Sequence, residues 1–188
     1  PGIEALVAFL DEDSTRLRRR AAAALASIGH ESAREPVSRA LADPAPVVRM
    51  AAMRALAARA PTDDRLAQMF EDSDDAIRSE AVRLFGSLCS DHLPALLSGN
   101  AAEVQIAVLS KIEAFPASET LLEEVRSKLM EESAPLVAAA AKALGVIAPE
   151  QALDDLTELL GDPARPVEAR LGALQGLAGT VDDGGGDD

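Results

Sequence analysis

Few side chains in this sequence are of a type and spacing that could do chemistry. The histidines are His30 and His92. A helical zinc site needs a second ligand at i+4 on the same face, and neither histidine has one. The single cysteine, Cys89, rules out an intramolecular disulfide and fits a reducing compartment. It follows Phe85 and Leu88 late in a helical pattern, so it reads as a buried, inert thiol and not as a nucleophile. Gly184-Gly185-Gly186 precedes no helix and cannot cradle a phosphate. Asp74-Asp75 and Asp182-Asp183 lack the spacing of a Ca²⁺ loop. No catalytic residue, metal site or cofactor is expected.

The elements that carry these residues repeat. Leu17-Arg18, Val48-Arg49 and Ile77-Arg78 are each an aliphatic followed by Arg, with small and apolar residues behind them: Ala21, Ala22, Leu25; Ala52, Leu56; Ala81, Val82, Phe85. The register continues at Val104-Gln105 and Leu136-Val137, and the Arg returns at Arg170. The anchors 18, 49, 78, 105, 137 and 170 lie 31, 29, 27, 32 and 33 residues apart. A period in this range is that of a stacked solenoid.

Each unit reads as two helices joined by a turn. First helices are expected near 3–10, 32–42, 63–71, 91–98, 118–131 and 150–160; second helices near 15–28, 46–59, 75–89, 101–114, 134–147 and 167–178. Turn signals fall between them at Asp43-Pro44, Asp72-Ser73, Gly99-Asn100 and Asp162-Pro163. Ser32, Thr62, Ser90 and Ser118 are the candidate N-caps, Ser118 the clearest. The array is read as residues 1–179, followed by a disordered acidic Gly/Asp tail over 180–188. A first residue of Pro1 points to a longer chain with earlier repeats.

Composition agrees with an all-α chain. Hydrophobic residues make up 48% of the 188, much of it Ala, with no Trp or Tyr and no alternating strand pattern. The net charge of −14 opposes nucleic-acid binding, which rests on neutralising phosphates, and stacking platforms for single strands are scarce. No membrane span or targeting segment is evident, so the expected location is cytoplasmic. Three lysines against fifteen arginines, with abundant Asp and Glu, suit a high-salt cytoplasm or a GC-rich genome.

Asp43-Pro44 followed by Val48-Arg49, and Asp72 followed by Ile77-Arg78, with the small-residue pattern behind each, resemble HEAT repeats. The closest type is the short prokaryotic kind named after phycobilisome lyases. The resemblance covers about residues 2 to 179 and implies a right-handed α-α superhelix, a solenoid of about six two-helix repeats. HEAT repeats carry an acid in the inter-helix turn and an Arg six residues later. That spacing holds at Glu12 and Arg18, Asp43 and Arg49, and Asp72 and Arg78. Position 99 is Gly and 105 is Gln, so both partners are lost together; Asp162 and Arg170 stand eight apart. The ladder implied is structural: the acid sits at a helix N-terminus and the Arg fork bonds carboxylates of its own and the neighbouring turn. The stack across 99–147 is then expected to be less firmly tied.

The resemblance also places second helices on the concave side. Position +5 from each anchor points away from the core. Those positions are Ala23, Arg54, Arg83, Ser110, Lys142 and Gln175, with Lys111 one residue off and Arg19 and Arg20 extending the basic character. Arg19, Arg54, Arg83, Lys111 and Lys142 are therefore the candidate partner-binding residues, suited to an acidic segment of another protein. Small residues surround them: Ala51, Ser79, Ala107, Ala138 and Ala139 among others.

HEAT-repeat deoxyhypusine hydroxylase carries several His-Glu pairs inside its second helices, whereas His30-Glu31 stands alone after one. HEAT-like DNA glycosylases use Trp or Tyr, which are absent. The expected function is a non-catalytic protein-interaction scaffold or regulatory module. The alternatives are an accessory subunit of a phycobilin-lyase-like enzyme and a structural spacer in a multidomain protein.

Overall fold

The computed structural model describes residues 2–99 and 101–181. Among these residues every regular element is helical. The chain divides into two compact units, Pro1–Cys89 and Ser90–Asp188.

Three helical pairs build the first unit. They are α1 (Gly2–Ala8) with α2 (Thr15–Ile28), α3 (Glu31–Arg39) with α4 (Pro46–Ala57), and a 3-10 helix (Asp64–Glu71) with α5 (Asp75–Phe85). The second unit pairs α6 (Leu93–Leu97) with α7 (Ala102–Leu109), α8 (Glu119–Ser127) with α9 (Ala134–Ile147), and α10 (Pro149–Gly161) with α11 (Val167–Val181). Within each unit the second helices pack on one another, α2 on α4 and α4 on α5, then α7 on α9 and α9 on α11. This is the stacking of an α solenoid.

Local chemistry sets the helix ends. Pro46, Pro94, Pro135 and Pro149 sit in first turns, where the missing N–H would be unsatisfied anyway. Ser118 Oγ accepts from Leu121 N at 3.2 Å and caps α8. The other caps are not the expected hydroxyls. His30 Nδ1 accepts from Ser32 N, Asp63 accepts from Arg65 N, and Asp74 accepts from Ala76 N and Ile77 N. Ser32 itself lies inside α3, two residues past the cap position that His30 holds. Gly29 closes α2 in the left-handed region at φ 63°. The Arg59 guanidinium lies where a Cβ at 29 would sit, and its Nη2 donates to Ser27 O at 2.9 Å.

Several expected helices differ; the one expected over 75–89 ends at Phe85, and a separate 3-10 turn covers Gly86–Leu88. Residues 64–71 form a 3-10 helix, which buries Leu66 and Met69 three apart on its shorter period. The second helix expected to run to 114 stops at Leu109; a separate 3-10 turn covers Ile112–Ala114. At the other end of the chain α11 reaches Val181, so the tail expected over 180–188 begins inside a helix; its residues 182–188 lie outside the described ones.

The core of the first unit runs through Leu25, Leu41, Val48, Met53, Leu66 and Ile77, all essentially inaccessible. Phe70 and Phe85 add a tilted ring pair with centroids 5.2 Å apart. The second unit is held differently. Its α9 and α11 meet backbone to backbone through small residues. A Cβ added at Gly176 would lie 2.5 Å from Ala141 O, and one at Gly172 would lie 2.4 Å from Ala138 Cα. No helix of the described residues is long and apolar enough to cross a membrane.

Candidate functional site

The repeated arginines form a ladder. Arg18 donates from Nε and Nη2 to Asp43 at 2.8 and 3.1 Å. Arg49 donates likewise to Asp72 at 2.8 and 2.7 Å. Each fork thus grips the carboxylate of the following turn bidentately. The remaining nitrogen turns back to its own turn: Arg18 Nη1 to Glu12 O and Asp13 O, Arg49 Nη1 to Asp43 O and Pro44 O. Arg78 binds Asp72 O and the carboxylate of Asp75. The spacing of six therefore joins an Arg to a carbonyl, not to the acid of its own turn. Glu12 takes part through its carbonyl, which accepts from Arg18, while its side chain is exposed.

Asp162 and Arg170 are not paired. Arg170 Nε donates to Leu160 O at 2.9 Å, whereas Asp162 Oδ1 accepts from Ala164 N and its carboxylate lies 3.9 Å from Arg165. The two extra residues of the 163–166 turn shift the acid out of the fork's reach. Asp43 and Asp72 are both largely buried, with 8% and 4% of their side chains accessible. Burial alone would raise their pKa values. The hydrogen bonds from Arg18 and Arg49, the backbone N–H groups of Ala45 and Asp74 and the nearby arginine charges together outweigh it and leave both carboxyls lower than usual.

A second set of ion pairs ties the first helices together. Arg34 Nη2 meets Asp63 at 2.7 Å, and Arg126 Nε meets Asp155 at 2.9 Å. Arg65 closes on Asp63 from the other side and reaches Glu35 at 2.8 Å. The Arg65 and Arg34 forks, against the cost of burial, hold Asp63 far below the usual carboxylate range. Sequence reading missed this set, although the offset between Arg34 and Asp63 recurs unchanged between Arg126 and Asp155: 29 residues. Lys128 was also missed. It is buried at the end of α8, with its ammonium 2.8 Å from Glu124, one helical turn earlier.

The candidate binding residues fall into both units. In the first unit Arg54 and Arg83 are exposed on α4 and α5, but they are not free. Arg54 Nε donates to Glu80 Oε1 at 2.7 Å, and Arg83 Nε donates to Glu80 Oε2 at 3.0 Å. One carboxylate thus bridges the two arginines that sequence reading placed in a basic column. Burial pushes the Glu80 pKa up, yet the two guanidinium contacts prevail and leave it lowered. In the second unit Lys142 is exposed on α9. Lys111 lies beyond the end of α7, in the turn before Ile112, because that helix stops early; it does not continue the column. Ser79, Ala107 and Ala138, expected to flank the column on the surface, are buried. Ala138 is covered by Gly172.

Arg19 and Arg20 have no ion-pair partner among the described residues. With Arg54 they border a cleft of about 490 Å³ on the face of α2 and α4. Ala23, Val47 and Met50 line its floor. The acid at its rim, Asp74, is committed to capping α5.

The groups considered for chemistry are not assembled. Cys89 is inaccessible, and burial pushes its thiol up to about 11. His30 is occupied with Ser32, through Oγ at 2.8 Å. No cluster of three His, Cys, Asp or Glu suited to a metal occurs among the described residues.

Comparison with known proteins bears on fold and family. Residues 3–86 match the family model for HEAT repeats, and residues 136–162 match that for the PBS lyase HEAT-like repeat. Two crystal structures of engineered proteins from the Northeast Structural Genomics Consortium are similar in fold. One is 18% identical with a TM-score of 0.58, covering 97% of this chain and 99% of its own. The other is 19% identical with a TM-score of 0.54, covering 98% of each. No curated protein matches the chain. The paired helices, the turn-to-turn arginine ladder and the two family matches agree: the chain belongs to the HEAT repeat proteins.

Proposed function

We propose that the chain is a non-catalytic scaffold that binds another protein on the exposed faces of its second helices. The observation that carries this reading is the open cleft on α2 and α4, where three exposed arginines surround an aliphatic floor. A solenoid offers such faces as a product of stacking alone and needs no reacting centre. The inaccessible thiol of Cys89 and the occupied His30 support a role without catalysis.

The test uses the chain as bait in native lysate at native salt, beside the double variant Arg54→Glu/Arg83→Glu. A captured protein is then prepared on its own and its Kd measured against both forms. Loss of affinity in the variant supports binding on this face. A Kd equal for both forms would move the function elsewhere on the chain.

A second reading has one observation in its favour, the PBS lyase HEAT-like match over 136–162. It makes the chain an accessory subunit of a phycobilin-lyase-like enzyme. Mixing with a linear tetrapyrrole then shifts the pigment's absorbance; an unchanged spectrum removes this reading.

A further inference from the structure

We infer that the cleft on α2 and α4 is a docking site for a peptide segment that presents a large aliphatic side chain between acidic residues. The inference rests on the scaffold reading and names the kind of partner. Its first support is charge. Arg19 and Arg20, which have no ion-pair partner among the described residues, stand at the rim, in a chain whose net charge is −14. A local cationic rim on an acidic protein is selective for anionic partners, since the rest of the surface repels them. The one carboxylate among the cleft's lining residues, Asp74, already accepts two backbone N–H groups.

The second support is the floor. Val47 is 52% exposed, although most residues of its type on α4 are buried. Met50 beside it is unbranched, a side chain type that adapts readily to irregular surfaces. Ala23 and Ala51 are small, which leaves room for a side chain to reach the floor while its neighbours lie level with the arginines. An inorganic anion would gain nothing from this aliphatic lining. A neutral apolar peptide would gain nothing from the rim. A segment with both features satisfies both, and its carboxylates can take the planar arginine forks two oxygens at a time.

The experiment uses the whole chain and three fluorescent decapeptides: one with a central leucine flanked on each side by two aspartates, one with that leucine replaced by serine, and one with the aspartates replaced by asparagine. Fluorescence anisotropy gives each Kd at two salt concentrations. The expected result is binding of the first peptide that weakens with salt, and at least tenfold weaker binding of the other two. Arg19→Glu/Arg20→Glu is expected to lose about tenfold, and Val47→Asp a similar factor. All three positions are exposed, so circular dichroism should show the fold unchanged. Equal affinity for the aspartate and asparagine peptides, or for wild type and Arg19→Glu/Arg20→Glu, overturns the inference. A partner from the bait experiment that is lost with Arg54→Glu/Arg83→Glu but kept with Arg19→Glu/Arg20→Glu also overturns it, while leaving the scaffold reading standing.

Discussion

Arg49 of α4 and Asp72, in the turn before α5, meet through two parallel hydrogen bonds at 2.8 and 2.7 Å. The pair spans two repeats and is nearly buried, with 12% and 4% of the side chains accessible. Removing one member leaves the other charge buried and alone. Asp72→Ala is expected to cost about 2–4 kcal/mol in urea unfolding. It also strips Asp74 N of its acceptor. Arg49→Lys is expected to recover little, because an ammonium cannot reproduce the fork. A loss below about 0.5 kcal/mol would show the ladder to be ornamental.

The same carboxylates set the acid limit of stability. Asp43, Asp63, Asp72 and Glu80 all have lower pKa values folded than unfolded. The unfolded chain therefore binds more protons in acid, and stability rises with pH there. Their contribution is complete above the ordinary carboxylate range of about 3.9–4.3 and is lost as pH falls through and below it. Thermal unfolding should show a flat Tm from neutral pH to about 5 and a steep fall below about 4. In Asp72→Asn that fall should be shallower.

How far the chain could be read depends on how far apart its signals lie. Second helices such as 15–28 and 134–147 are written in local periodicity and were legible to the residue. Arg18, Asp43, Arg49 and Asp72 do form a ladder, but Asp162 and Arg170 do not pair, and the wiring was not legible. Arg49 takes the carbonyl of Asp43 six residues back and the carboxylate of Asp72 on the next turn, and a one-dimensional spacing cannot separate the two. Glu80 was invisible for the opposite reason. It sits two residues after Arg78, off the repeat pattern, and meets Arg54 only across a 26-residue offset created by stacking. Lys128 looks like a surface residue until the fold buries its stem.

In the second unit, small residues let the second helices α9 and α11 meet backbone to backbone. Gly176→Ala would push a Cβ to 2.5 Å from Ala141 O, which is backbone and cannot swing away. The expected cost is about 1–3 kcal/mol. Gly161→Ala is the matched control, since nothing lies within 4 Å of its added Cβ. There the gain should be up to about 1 kcal/mol from a less flexible unfolded chain. Equal effects at the two glycines would mean that α9 and α11 do not meet at this seam.

The ladder's absence at Gly99 and Gln105 led to the expectation of weak protection throughout 99–147. The packing narrows that expectation. Helix α9 carries Ala140, Ala141 and Leu144 wholly buried, whereas α7 has only eight residues and ends before a broken 3-10 turn. Hydrogen exchange should therefore be slow across 134–147 and at least tenfold faster across 101–114. Uniform protection over both segments would contradict this division.

Glu80 offers the most direct handle on the binding face. It neutralises Arg54 and Arg83 at once, and its side chain is only 14% accessible between them. Glu80→Gln keeps the shape and removes the charge. Arg54, which borders the cleft, then faces solvent as an uncompensated cation. Affinity for the aspartate-flanked peptide should rise about two- to fivefold, with a steeper dependence on salt, because each exposed charge contact is worth under about 1 kcal/mol. An affinity unchanged in Glu80→Gln would place the peptide beyond the reach of Arg54, at the Arg19 and Arg20 side of the cleft alone.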